Sequence, residues 1–257
     1  DGSHGMMVLS TIAANMPGEL VGTAPKADYL LVRTEDGDSE YMVEEYYWIT
    51  GAEFADSMGV DVINTSLGYT EYDDGNNHTY ESLDGNTAPI TIASNIAAEK
   101  GILLVTSAGN EGADPWRHIS APADAHGVLT VGSVTSSGKI SSFSSRGPSA
   151  DGRVKPDVMA LGSFAFVQGT GGNVTFSFGT SFSGPIMTGA VTSLWQAFPE
   201  FSAEEIKEVV RLSAHQHDKP DNDYGYGIPD FAYAFEYLTQ LREKNKTKDG
   251  NTLEIDR

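Results

Sequence analysis

A chain of 257 residues can bury one sizeable core, and length alone gives no reason to divide it. With 36 Asp and Glu against 16 Lys and Arg, the formal net charge of −20 repels nucleic acid and anionic membrane surfaces. No stretch approaches the roughly 20 apolar residues needed to span a bilayer. The absence of cysteine excludes disulfides, thiolate metal sites and cysteine nucleophiles but leaves the compartment open.

In chain order, "SHGMMVLSTIAA" reads as an amphipathic helix with His4 at its start. Apolar, β-rich runs then alternate with helical patterns: Tyr29 to Arg33, a stretch around Val43 to Gly59, Val60 to Ser66, Ile90 to Gly101, Ile102 to Ser107 and Val128 to Val134. That alternation predicts right-handed βαβ units. The fold class expected is α/β, a three-layer sandwich with a central, mostly parallel sheet and helices on both faces. "GILLVTSA" is almost continuously apolar, as a strand covered on both sides should be. Gly and polar residues place loops at 68–88, 109–127 and 162–179. From Arg242 the chain turns polar and weakly patterned, so residues 1–241 are expected to form the domain and 242–257 a tail or linker.

The stretch "SFGTSFSGPIMTGAV" sets Thr180, Ser181 and Ser183 ahead of Pro185 and an apolar helical pattern. Proline suits a first helical turn, which places Ser181 at a helix amino terminus, where free N–H groups favour an oxyanion. The commoner role of such hydroxyls is a helix cap, and the motif alone does not choose. Asn110 follows the buried strand ending at Ser107, at the carboxyl end of a parallel sheet where open α/β sheets place their sites. Its amide can donate to an oxyanion. His4 can act as a general base, although a lone terminal histidine is more often a surface residue.

Seven blocks, in order, resemble the landmarks of subtilisin-like serine proteases. They are His4-Gly5 with Val8, "INTSLG" at 63–68, "SAGNEG" at 107–112, "SFSSRGP" at 142–148, "KPDV" at 155–158, "GTS" at 179–181 with Pro185, and "YGYG" at 224–227. The resemblance implies a serine endopeptidase in which Ser181 acylates, His4 is the base, and the Asn110 side chain and Ser181 N–H form the oxyanion hole. It implies an extended peptide or protein substrate pairing along Ser66, Leu67 and Gly68. The pocket beside the scissile bond is then walled by those residues and by Ser107, Ala108 and Gly109, with its base near Ser120. These residues are small and neutral, which suits a medium to large apolar side chain, and Glu111 next to them disfavours acidic groups. No cofactor is needed for such chemistry.

Subtilisin-like enzymes order their triad Asp, His, Ser, yet only three residues precede His4. Asp1 follows no apolar strand, and Asp28 and Asp61 fall at strand starts, the wrong end of the sheet. A permuted aspartate near Leu253 to Asp256 has little support. The expectation is therefore a domain without its first strand, accompanied by an N-terminal fragment that supplies the aspartate. The competing expectation is a catalytically impaired, peptide-binding relic of the same fold. Family habit points to a secreted or periplasmic location. The loop holding Asp73, Asp74 and Asp84 is oxygen-rich and offers weak calcium ligands, a solvated acidic loop being the stronger reading. His215 and His217 read as surface residues, and Trp116 as a cover for the core.

Overall fold

A computed structural model describes residues 3–252, with side chains to residue 246. Asp1 and the segment Leu253 to Asp256, both weighed above as sources of the aspartate, lie outside the described residues. The elements are helix α1 (Ser3–Ala13), a small ribbon of β1 (Asn15–Met16) and β2 (Leu20–Val21), helix α2 (Val43–Ser57), strand β3 (Val62–Thr65), helix α3 (Pro89–Glu99), and strands β4 (Leu103–Ser107), β5 (Val128–Val134) and β6 (Val158–Leu161). A hairpin of β7 (Ser163–Gln168) and β8 (Val174–Phe178) follows, then helices α4 (Thr180–Ala197), α5 (Ala203–Leu212) and α6 (Phe231–Thr252).

The central sheet has the order β3-β4-β5-β6, and every pairing is parallel. Parallel neighbours need crossovers, and the helices between them cover both faces. Side-chain alternation splits each strand between two cores. Leu103, Val105, Leu129 and Val131 pack with residues of α4, α5 and α6, whereas Leu104 and Val128 pack with Trp48 of α2 and Ile90 of α3. All residues of β4 and β5 are buried. The expected three-layer α/β sandwich is present.

A buried ion cluster ties the two ends of this core. Lys155 Nζ lies 2.9 Å from Asp157 Oδ2, and Arg211 reaches Asp157 Oδ1 at 3.1 Å. Burial pushes Asp157 up, and the charges of Lys155 and Arg211 outweigh it, so its carboxyl is held below the usual aspartate range.

Four expectations need correction. Tyr29 to Arg33 form no strand, and among the described residues no backbone-to-backbone hydrogen bond involves residues 28–35. A strand is defined by its ladder, and among the described residues this run has no neighbour to pair with. Its Leu31 is 70% exposed, while Val32 leans on Gly51 of α2. Second, residues 162–179 contain the β7–β8 hairpin rather than a loop; β7 alternates buried and exposed residues and packs against α1. Third, Pro185 lies inside α4, six residues into it. Its missing N–H leaves the Ser181 carbonyl without its helical donor, and the Ser66 hydroxyl donates there instead at 3.1 Å. Last, α6 continues through the start of the segment expected as a tail. Arg242 anchors it, donating to the Ala197 carbonyl and Glu200 while lying 4.4 Å over the Phe198 ring.

Candidate active site

The carboxyl ends of β3 and β4 and the amino end of α4 converge on one rim. Thr180 is its hub. The Thr180 hydroxyl accepts from the Gly109 N–H at 3.2 Å, and the Thr180 carbonyl accepts from Ser107 Oγ at 2.8 Å. Ser183 is equally buried and donates to the Thr180 carbonyl at 3.0 Å. Ser181 differs from both, being half-buried, with Oγ 3.5 Å from the Ser66 carbonyl, at the limit of a hydrogen bond. Of the three hydroxyls at this helix start, two are buried and bonded, and that of Ser181 is half-exposed.

Asn110 is oriented by the same hub. Its Oδ1 accepts from the Thr180 backbone N–H at 2.8 Å and from the Thr180 hydroxyl at 3.0 Å. A backbone N–H can only donate, so the acceptor end of the amide is fixed toward Thr180. The Nδ2 group is thereby turned away and has no partner among the described residues. It stands beside the first turn of α4, whose own N–H groups lack helical acceptors. Two kinds of donor therefore lie beside Ser181.

His4 opens α1, which packs along α4. Its ring meets Phe182 edge-on, with centroids 6.1 Å apart, so the imidazole borders the residue next to Ser181. Partial burial pushes its pKa down, which keeps the ring neutral and able to accept a proton at neutral pH. Among the described residues, no carboxylate pairs with it. Asp28 and Asp61 are both exposed, and Asp61 sits at the amino end of β3, remote from Ser66 along the strand.

The walls also meet. A Cβ at Gly68 would collide with the Ser120 hydroxyl, which puts the two loops in contact. Gly109 has φ 111°, a conformation that side-chain-bearing residues avoid, and a Cβ there would lie 2.5 Å from Glu111 Oε2 and 2.7 Å from Ser145 Oγ. Glu111 thus reaches the pocket wall, held by Ser145 Oγ at 2.6 Å. Ser120 Oγ is buried without a hydrogen-bond partner among the described residues. Ser66 and Ser107 reach the start of α4 by hydrogen bonds, and Gly68 and Gly109 both approach Ser120, while Ser107, Ala108 and Ser120 are themselves buried.

Sequence reasoning missed the supporting residues. Thr188 donates to Asn64 Oδ1 at 2.8 Å, and Asn64 Nδ2 donates to Ser66 Oγ at 2.9 Å, so a relay aims the Ser66 hydroxyl at the carbonyl that Pro185 frees. Pro185, four residues after Ser181, was the visible signal for that relay. Asp73, Asp74 and Asp84, the weak calcium candidates, each accept from a nearby backbone N–H. Asp74 caps a turn through Asn76, Asp84 another through Asn86, and Asp73 Oδ2 accepts from the Glu40 N–H. Trp116 half-covers the core on the α2–α3 side, as expected.

Comparison with known proteins places the chain in a family and matches its fold. The model of peptidase S8, described as the subtilase family, matches residues 1–227. Subtilisin E of Bacillus subtilis (strain 168) is 33% identical over 217 residues, which are 82% of this chain and 50% of that protein. Subtilisin of Bacillus pumilus is 32% identical, covering 82% of this chain and 70% of its own. The chain spans about half the length of several curated relatives it matches. Among solved structures, the self-cleaved protease domain of PatA superposes with a TM-score of 0.75 at 24% identity, over 92% of this chain and 83% of that one. MycP1 of the ESX-1 type VII secretion system gives 0.72 at 24%, over 91% and 70%. With a matching family model over nearly the whole sequence and a shared fold, the chain belongs to the subtilase family.

Proposed function

We propose that the protein is a serine endopeptidase that works through an acyl-enzyme on Ser181. The observation that carries this reading is the contrast among three neighbouring hydroxyls: Thr180 and Ser183 are buried and bonded, whereas Ser181 is accessible beside an unpartnered amide donor. In the reaction, His4 accepts the Ser181 proton as Oγ attacks the substrate carbonyl, then returns it to the leaving amine. Asn110 Nδ2 and the Ser181 N–H hold the oxyanion. An extended peptide pairs along Ser66 to Gly68, and an apolar side chain enters the cleft toward Ser120, with acidic ones repelled by Glu111.

The carboxylate that orients His4 comes, on this reading, from a further strand paired with the open edge of β3, supplied by an N-terminal segment or fragment of the same protein. Two observations favour it. β3 ends the described sheet, and the apolar run 29–32 beside α2 lacks any strand partner. Without the carboxylate, the imidazolium has no partner and its tautomer is unfixed. Secretion follows the habit of the family.

The test is labelling with a serine-directed fluorophosphonate, applied to the protein as purified from its native source. A single adduct on Ser181 is expected, absent in Ser181→Ala. Failure to label Ser181 would identify a peptide-binding relic instead.

A further inference from the structure

Outside the cleft, the β7–β8 hairpin presents a face that the rest of the fold leaves bare. One side of an antiparallel pair ordinarily packs on a core while the other carries polar residues. The inner side follows this rule, with Ala165 and Val167 buried against Val8 and Phe182. The outer side breaks it. Phe164, Phe166, Phe176 and Phe178 are each between 49% and 63% exposed. Phe164 meets Phe176 and Phe178 with ring centroids 5.2 Å and 4.5 Å apart, and Phe166 stands opposite Phe176 in the ladder. The four rings form one continuous apolar patch, which a solitary soluble surface rarely carries without a use.

A second observation is independent of exposure. Phe164 has φ 57°, in the left-handed region that a bulky side chain avoids, and it sits at the register shift between Ser163 and Ala165. Backbone strain of this kind persists where it has a use or the surroundings impose it. A third observation concerns charge. Residues 162–179 contain no Asp, Glu, Lys, Arg or His, in a chain whose formal net charge is −20. Among the described residues β8 pairs only with β7, and sheet edges that must stay solitary are usually guarded by charges. An uncharged face offers nothing to a partner recognised through ion pairs. It is, however, a surface on which two copies of a strongly acidic chain can meet without opposing carboxylates.

We propose that the β7–β8 hairpin is a dimer interface, in which two copies of the chain stack their phenylalanine faces about a two-fold axis. At ~200 Å² per ring, four rings about half exposed offer roughly 450 Å² of apolar surface. That is the size of the apolar centre of a standard interface, whose ~800 Å² per partner includes a polar rim. Sheets packed face to face interdigitate their side chains at a spacing of about 10 Å, and the two-fold lets one patch serve both copies. Only Gly179 and Thr180 separate Phe178 from Ser181, so the interface would stand beside the rim of the candidate active site. The pairing owes nothing to the acylation chemistry and stands whether or not Ser181 reacts.

The experiment is sedimentation velocity of the full protein across a micromolar concentration series, with hydrogen exchange measured at both ends of the series. A species of twice the monomer mass is expected, and the amides of residues 163–178 should exchange more slowly as it forms. Added salt should tighten the dimer, because it screens the repulsion between two chains of charge −20 and finds no ion pair in the hairpin to weaken. Phe176→Asp and Phe166→Ser, both at exposed positions, should preserve the Tm of the monomer and raise the dimer dissociation constant by on the order of 30-fold or more. Tyr46→Asp, at an exposed aromatic residue of α2, should leave the dimer intact. A wild type that stays monomeric throughout, including one whose hairpin binds phosphatidylcholine vesicles instead, would overturn the interface, as would a dimer that survives both phenylalanine variants.

Discussion

The two flanks of the central sheet differ sharply. On one, β4 and β5 are covered on both faces, and every residue of theirs is buried. On the other, β3 is only partly covered, and the apolar run at 29–32 beyond α2 lies open to solvent. Both carry the same kind of sequence, short and rich in Leu and Val. The difference teaches that an apolar β-prone run becomes a strand only where a ladder partner exists, and the site lies at the junction of the two flanks.

Substitutions can break or sharpen this contrast. The largest effect is expected from Leu104→Ala, which removes a fully buried side chain from between α2 and α3; urea unfolding should show a loss of about 2–5 kcal/mol. Lys155→Met leaves Asp157 buried with Arg211 alone, and a loss of about 3 kcal/mol, or roughly 6–12 °C in Tm, is expected by calorimetry. The pH dependence has a definite sign. Asp157 is depressed in the folded state, so its contribution is complete above the ordinary aspartate pKa and disappears as pH falls through the lower folded value. The stability gap between wild type and Asp157→Asn should therefore narrow in acid.

At the junction, Asn110→Leu should slow fluorophosphonate labelling by on the order of 100-fold, and because it strands the buried Thr180 N–H that Asn110 Oδ1 accepts, about 1–2 kcal/mol of stability should go with it. Ser66→Ala strands the Ser181 carbonyl that Pro185 leaves without a donor, and about 1 kcal/mol of stability should go with it. The smallest effect belongs to the open flank. Leu31→Ser should change the stability of this chain by less than about 0.5 kcal/mol, as an exposed position does. If a further strand docks there, the same change should weaken its association, readable by native mass spectrometry.

The legible part of the fold was the part whose partners lie within the sequence. "GILLVTSA" announced a doubly covered strand because its apolar run needed no other information, and β4 confirms it. Tyr29 to Arg33 looked no different, since sequence does not reveal whether a neighbour is present. The hairpin at 163–178 escaped notice because its glycines and serines imitate a loop, and only the outward-facing Phe164, Phe166, Phe176 and Phe178 record the alternation. In the site, Ser181, Asn110 and His4 were visible as motif residues. Thr180 was visible only as a hydroxyl, because its work of orienting Asn110 depends on a contact across 70 residues of chain.

The most direct measurement is a crystal structure of the protein inhibited by a fluorophosphonate. The phosphoryl group should be bonded to Ser181 Oγ, with one oxygen accepting from Asn110 Nδ2 and the Ser181 N–H, and His4 turned toward the adduct. A phosphoryl oxygen pointing away from Asn110, or an imidazole that cannot reach Ser181, would contradict the account.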